Sequence, residues 1–186
     1  LWLIDPLDFT VGSVPGDNIS GFTLSANVQN GDITIATVAG PGAGNGDIFI
    51  TEGVTWNGLL GTSAVPTTLT LNALGSVYFG RRSPLGLLIP TATITPTNGS
   101  LVVTAGQNVN IDAAITPTDG SATITAGLDV NINAAISPTR GNLVVCCGQD
   151  IFVNAPITAV NGSVLLAAGR DVEVIRSGAN TTTAIT

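Results

Sequence analysis

The sequence predicts an all-β fold, a right-handed parallel β-helix (β-solenoid) wound in coils of about 21 residues, within the range of known solenoid repeats. Three observations predict it. Four similar segments begin at Gly99, Gly120, Gly141 and Gly162, so the spacing is constant, and a fixed period in this range marks stacked repeats. Within each segment apolar residues alternate with polar ones in short runs, and no ten-residue stretch shows a helical apolar period. A unit this short, with strands this short, cannot bury a hairpin of its own. It must pair in parallel with the units before and after it, at ~4.8 Å per step, and right-handed crossover is the rule for parallel strands.

A coil reads as follows. It opens on a turn such as Asn98-Gly99 or Asn161-Gly162, where glycine is expected to take positive φ. The first run, Leu101-Val102-Val103, places Leu101 and Val103 inside and Val102 outside. A small-residue corner, Ala105-Gly106 or Cys147-Gly148, leads to a second run such as Val109-Asn110-Ile111 or Val130-Asn131-Ile132. The coil closes with Ile115, Ile136 or Ile157, often followed by proline.

The 186 residues divide into irregular coils with insertions over 1–98, regular coils over 99–175 and a C-terminal tail over 176–186, all in one domain of about seven coils. At the start, Trp2, Ile4 and Phe9 are expected to cover the open end, because a first coil has unpaired backbone edges. Asn30 to Ile35 corresponds to Asn98 to Val103, Val54 to Ile115, Trp56 to Pro117, and Val77-Tyr78-Phe79 to Val109-Asn110-Ile111. The stretch from Val77 to Val109 exceeds one period by the length of a loop at 81–91, so removing that loop leaves an intact coil. This loop carries Arg81, Arg82 and the apolar Leu85, Leu87, Leu88 and Ile89. Two readings stay open: the tip folds back on the flank, or it contacts a partner. The tail is either a loose end or an intermolecular strand through Thr181, Thr182, Thr183, Ala184 and Ile185.

The opening Trp2-Leu-Ile-Asp-Pro-Leu-Asp8 fits a W-x-x-D-P-x-D pattern, and Leu69-Thr-Leu-Asn-Ala73 and Gly99-Ser-Leu-Val-Val-Thr-Ala-Gly106 have the look of haemagglutinin repeats. Over nearly its whole length the chain resembles the repeat region of filamentous-haemagglutinin-type adhesins, large exoproteins of two-partner secretion. The resemblance implies a secreted, right-handed β-helical rod used in adhesion, at the cell surface, against a receptor or glycan of a host or neighbouring cell. The family's secretion domain, with its NPNG- and NPNL-type motifs, is not found here. The chain is therefore expected to lie downstream of that domain, or to belong to a protein that borrowed only the rod.

Composition bounds the function. The net charge is −7, and the five cations are all arginine, which argues against nucleic acid as a partner. Mean hydropathy is high at +0.48 although only 9% of residues are charged, as a dry core under a neutral Thr, Ser and Asn surface requires. No run of 18 apolar residues exists, so no membrane span is expected. Residue 1 is Leu, Met is absent and no signal peptide is evident, which reads as a processed or excised piece. Cys147 falls at an inward position and Cys146 at an outward one; a bridge between neighbours would be strained, and an intermolecular link through Cys146 stays open. No cofactor is expected. Asn108, Asp129, Asp150 and Asp171 share a column, where a calcium ion would relieve repulsion, or each side chain caps its corner in an Asx turn. Asp112, Asn133 and Asn154 form a second column, read as an amide ladder. The sequons at Asn18, Asn98, Asn161 and Asn180 are weak in so Asn- and Thr-rich a chain. With no His or Lys and no clustered acids, catalysis is not expected. The expected function is a non-catalytic rod segment of a surface adhesin. The alternatives are an extracellular filament subunit stacking end to end and, last, a carbohydrate-active β-helix enzyme.

Overall fold

A computed structural model describes residues 2–4, 7–38, 44–60, 65–82, 88–89 and 92–175. Strands β1 (Trp2–Ile4) and β2 (Phe9–Val11) precede a helix, α1 (Gly21–Asn30). Then come β3 (Ile33–Ala36), β4 (Ile48–Ile50), β5 (Val54–Asn57), a 3-10 turn at Gly58–Leu60, β6 (Thr67–Ala73) and β7 (Val77–Phe79). A hairpin of β8 (Arg81–Arg82) and β9 (Leu88–Ile89) leads to β10 (Ile94–Thr97), β11 (Gly99–Ala105) and β12 (Val109–Ile111). The remaining strands are β13 (Ala122–Ala126), β14 (Val130–Ile132), β15 (Leu143–Cys147), β16 (Ile151–Val153), β17 (Val164–Ala168) and β18 (Val172–Val174).

These strands are mostly parallel. The first sheet has seven, in the order β1-β3-β6-β11-β13-β15-β17, and the second has seven, β2-β4-β7-β12-β14-β16-β18. A third column pairs β5 with β10 and continues as single bridges from Ile94 to Ile115, Ile136 and Ile157. The register repeats the sequence period: Leu101 lies beside Ala122, Leu143 and Val164 in turn, and Val109 beside Val130, Ile151 and Val172. The irregular half obeys the equivalences read from sequence. Ile33 reaches Leu101 through Leu69, Val54 reaches Ile115 through Ile94, and Val77 pairs with Val109 across the loop at 81–91.

The alternation holds residue by residue. Leu101, Val103, Val109 and Ile111 are wholly buried, whereas Val102 and Asn110 between them are half-buried. Each inward Val, Leu or Ile removed from water is worth about 1.5–3 kcal/mol. The sum over both sheets is what makes these short strands stable.

Helix α1 corrects the expectation of a chain without helix. Its buried positions are Gly21, Leu24 and Val28. The Leu24/Val28 pair, one turn apart, is too narrow an apolar stripe to show as a helical period. Ser20 starts the helix: its hydroxyl accepts from the Thr23 N–H at 3.1 Å. The helix then covers the outer edge of β5, where the Ser25 hydroxyl accepts from the Thr55 N–H at 3.0 Å and the Glu52 carboxylate from the Gly21 N–H at 2.7 Å. A parallel edge left bare would present such donors to any passing strand. Replacing Ser20 by Ala is expected to lower stability by about 1 kcal/mol, the usual cost of a lost N-cap, read as a shift of the denaturant midpoint.

A second correction concerns the repeat glycines. None of Gly99, Gly120, Gly141 and Gly162 has positive φ; the left-handed residue of the turn is Asn98, at φ 50°. Those glycines are required for clearance. A Cβ on Gly120 would sit 1.4 Å from the Gly99 carbonyl oxygen, and one on Gly141 would sit 1.5 Å from that of Gly120.

The two ends differ. Phe9 is an inward residue of β2 in register with Ile48, and Trp2 and Ile4 stand on β1 opposite Ile33 and Ile35; the side chains of Trp2 and Ile4 lie outside the described residues. The outer edge of β2 is occupied by the segment after it: the Asn18 N–H donates to the Thr10 carbonyl at 3.0 Å and the Gly12 N–H to the Ile19 carbonyl at 2.8 Å. At the other end Val172 and Val174 are each 44% exposed, although their counterparts Val130 and Ile132 are wholly buried.

Candidate functional site

The acidic column is built into the backbone. The Asp129 N–H donates to Asn108 Oδ1, the Asp150 N–H to Asp129 Oδ1 and the Asp171 N–H to Asp150 Oδ1, at 3.1, 3.1 and 3.2 Å. The same pattern runs back through Ser76 and Asp47 to Asp8, whose Oδ1 accepts from the Asp47 N–H at 2.9 Å. Each side chain thus caps the corner of the next unit, rather than its own corner as an Asx turn does. Arg170 adds an ion pair with Asp150. Among the described residues no group of three or more His, Cys, Asp or Glu is placed to hold a metal ion.

The second column is the amide ladder read from sequence: Asn154 Nδ2 donates to Asn133 Oδ1, and Asn133 Nδ2 to Asp112 Oδ1, both at 2.8 Å. Cys146 and Cys147 are both free thiols and half-buried. Burial pushes the Cys147 thiol up, so it stays protonated at neutral pH and is a poor nucleophile.

Of the expected partner loop, Arg81, Arg82, Leu88 and Ile89 form the antiparallel pair β8–β9, with Arg81 opposite Ile89 and Arg82 opposite Leu88. Their side chains, and all of Leu85 and Leu87, lie outside the described residues, as do Thr181, Thr182, Thr183, Ala184 and Ile185 of the expected intermolecular strand.

The outer face of the second sheet holds a feature that sequence reasoning missed. Its outward column runs Thr10, Phe49, Tyr78, Asn110 along β2, β4, β7 and β12. The rings of Phe49 and Tyr78 stack with centroids 5.1 Å apart and planes 7° from parallel. They line an open groove of about 700 Å³ with Asp17, Thr51, Asn108, Asn110 and Asp112 around them. Gly80 closes one margin. Its φ of 98° lets the chain leave the sheet there for β8, and a Cβ would come within 3.1 Å of Asp112. Asn131 Nδ2 donates to Asn110 Oδ1 at 3.2 Å. The described lining carries two carboxylates and no cation. The signal in the sequence was the pair of triplets Ile48-Phe49-Ile50 and Val77-Tyr78-Phe79, each with an aromatic at its outward middle position.

Comparison with family models, with curated proteins and with solved structures returned no match to this chain. Among the described residues no helix is long and apolar enough to cross a membrane.

Proposed function

We propose that the chain is a length of right-handed parallel β-helix, roughly 35 Å long at ~4.8 Å per coil, serving as a non-catalytic rod segment of a secreted bacterial adhesin. It holds one cell surface to a host or neighbouring surface, in the manner of filamentous haemagglutinin. The observation that carries the reading is the unbroken register, unit upon unit, in three columns, each sealed by wholly buried side chains. Stacking of this kind resists bending, because every unit is bonded to its neighbours along several lines at once. The W-x-x-D-P-x-D opening supports the adhesin assignment. Asp8, its last residue, is the first acceptor of the acidic column, so the motif has a structural use in starting the stack.

Imaging of the native material tests this. Antibody to the chain should label intact producing cells, and released protein should appear as single unbranched rods in electron micrographs. Label that enters only after permeabilisation, or compact globules, would overturn it. The second reading is a filament subunit stacking end to end, for which the exposed Val172 and Val174 would be the contact. Polymers with a regular axial repeat would establish that reading. Against it, the outer edge of β2 is already bonded to Asn18 and Ile19, and stacking there would have to displace them.

A further inference from the structure

We propose that the groove around Phe49 and Tyr78 binds a neutral glycan, with a sugar ring seated against the Asn110-facing side of Tyr78, over Asn110. This deepens the attachment reading by naming the ligand chemistry, and it rests on that reading only for where the glycan is found.

Because Phe49 and Tyr78 stack on each other in register, each ring turns one face along the column, Phe49 towards Thr10 and Tyr78 towards Asn110. Thr10 and Asn110 are shorter side chains, so each leaves a step beside an aromatic face. The step is one strand spacing deep, ~4.8 Å, which is the thickness of a pyranose ring in contact. Aromatic faces carry negative charge density and attract the polarised C–H groups of a sugar.

The polar groups suit hydroxyls. Asn110 stands in register beside Tyr78; its amide oxygen takes the Asn131 hydrogen bond, and its amide nitrogen carries two donors. Asp112, held by Asn133, supplies a carboxylate on the same floor, and Asp17 supplies another at the far wall, where it accepts from the Val14 N–H at 2.8 Å. Donor, carboxylates and apolar face within one open cleft is the usual make-up of a site for a ring that is apolar on its face and polar at its rim. The chain's net charge of −7 disfavours sulfated or uronic sugars. The groove spans four strands, so it has room for more than one sugar unit.

Tyr78 is the chain's sole tyrosine, which gives a direct readout. The intact chain, labelled with carbon-13 tyrosine, would be titrated by NMR with cellohexaose, maltohexaose, chitohexaose and a galactan hexasaccharide. A heparin hexasaccharide and spermine serve as anionic and cationic probes. At least one neutral hexasaccharide is expected to shift the Tyr78 ring signal saturably. In calorimetry Tyr78→Ala should weaken that binding about tenfold, as loss of a stacking face does, and Asn110→Ala should weaken it by a smaller factor. Phe152→Ala lies in the same outward column but beyond the groove, and it should bind unchanged. These positions face outward, so the circular dichroism of each variant should match the parent. The proposal is overturned if none of the four hexasaccharides binds, if binding survives Tyr78→Ala undiminished, or if heparin or spermine is the probe that binds. A rod seen on cells with no sugar bound in solution would remove this proposal alone. Sugar bound by a protein that is not at the surface would remove the adhesin reading alone.

Discussion

Gly120→Ala is expected to cost about 3 kcal/mol or more, at the upper end of what overpacking does. The new methyl carbon would lie 1.4 Å from the Gly99 carbonyl oxygen and 2.5 Å from its carbon, and both are backbone atoms of a neighbouring unit. No side-chain rotation relieves such a clash. The parallel strands on either side would have to part, and with them the hydrogen bonds of β11 and β13. Gly31→Ala is the matched control: it ends α1 in extended backbone at φ 170°, with nothing within 4 Å of the added atom. Its effect should stay within about 0.5 kcal/mol. Urea unfolding followed by circular dichroism measures both. Equal midpoints for the two variants would show that the units are not stacked as closely as the glycine column requires.

Val130→Ala and Val172→Ala make the second contrast. The two valines occupy the same column, joined through Ile151, and lose the same two methyl groups. Val130 is wholly buried between two units, so truncation forfeits its transfer energy and leaves a cavity, about 2.5 kcal/mol together. Val172 is 44% exposed on the last strand of its sheet, and its truncation should cost less than about 1 kcal/mol. The measurement is again the unfolding midpoint. If Val172→Ala cost as much as Val130→Ala, the C-terminal edge would be covered in solution.

What the sequence disclosed and what it hid follow from distance along the chain. The regular units were legible because each repeats its neighbour, so Leu101, Ala122, Leu143 and Val164 could be aligned by counting. Even the irregular half yielded where an apolar residue and a threonine marked the third column, as Val54-Thr55 does for Ile94-Thr95. Helix α1 was hidden because its reason for being is the edge of β5, far downstream, and only Leu24 and Val28 carry the apolar signal. The glycine period was seen but misread. A repeating glycine signals either positive φ or a close approach, and the structure alone showed that Asn98 takes the first role while Gly99, Gly120, Gly141 and Gly162 take the second. The groove escaped notice because Phe49 and Tyr78 are separated by more than one period, so counting along the regular repeat does not bring them together.

Both side-chain ladders place the donor on the later unit and the acceptor on the earlier one. The molecule therefore has a head and a tail in the electrical sense, as a bar magnet has poles. Asp171 is the last described member of a column in which the side-chain oxygens of Asn108, Asp129 and Asp150 each take an N–H from the unit that follows. Two such tails pressed together would set carboxylate against carboxylate, whereas a tail meeting a head sets acceptor against donor. A unit spliced in backwards would find no partners, so the column enforces one sense of succession.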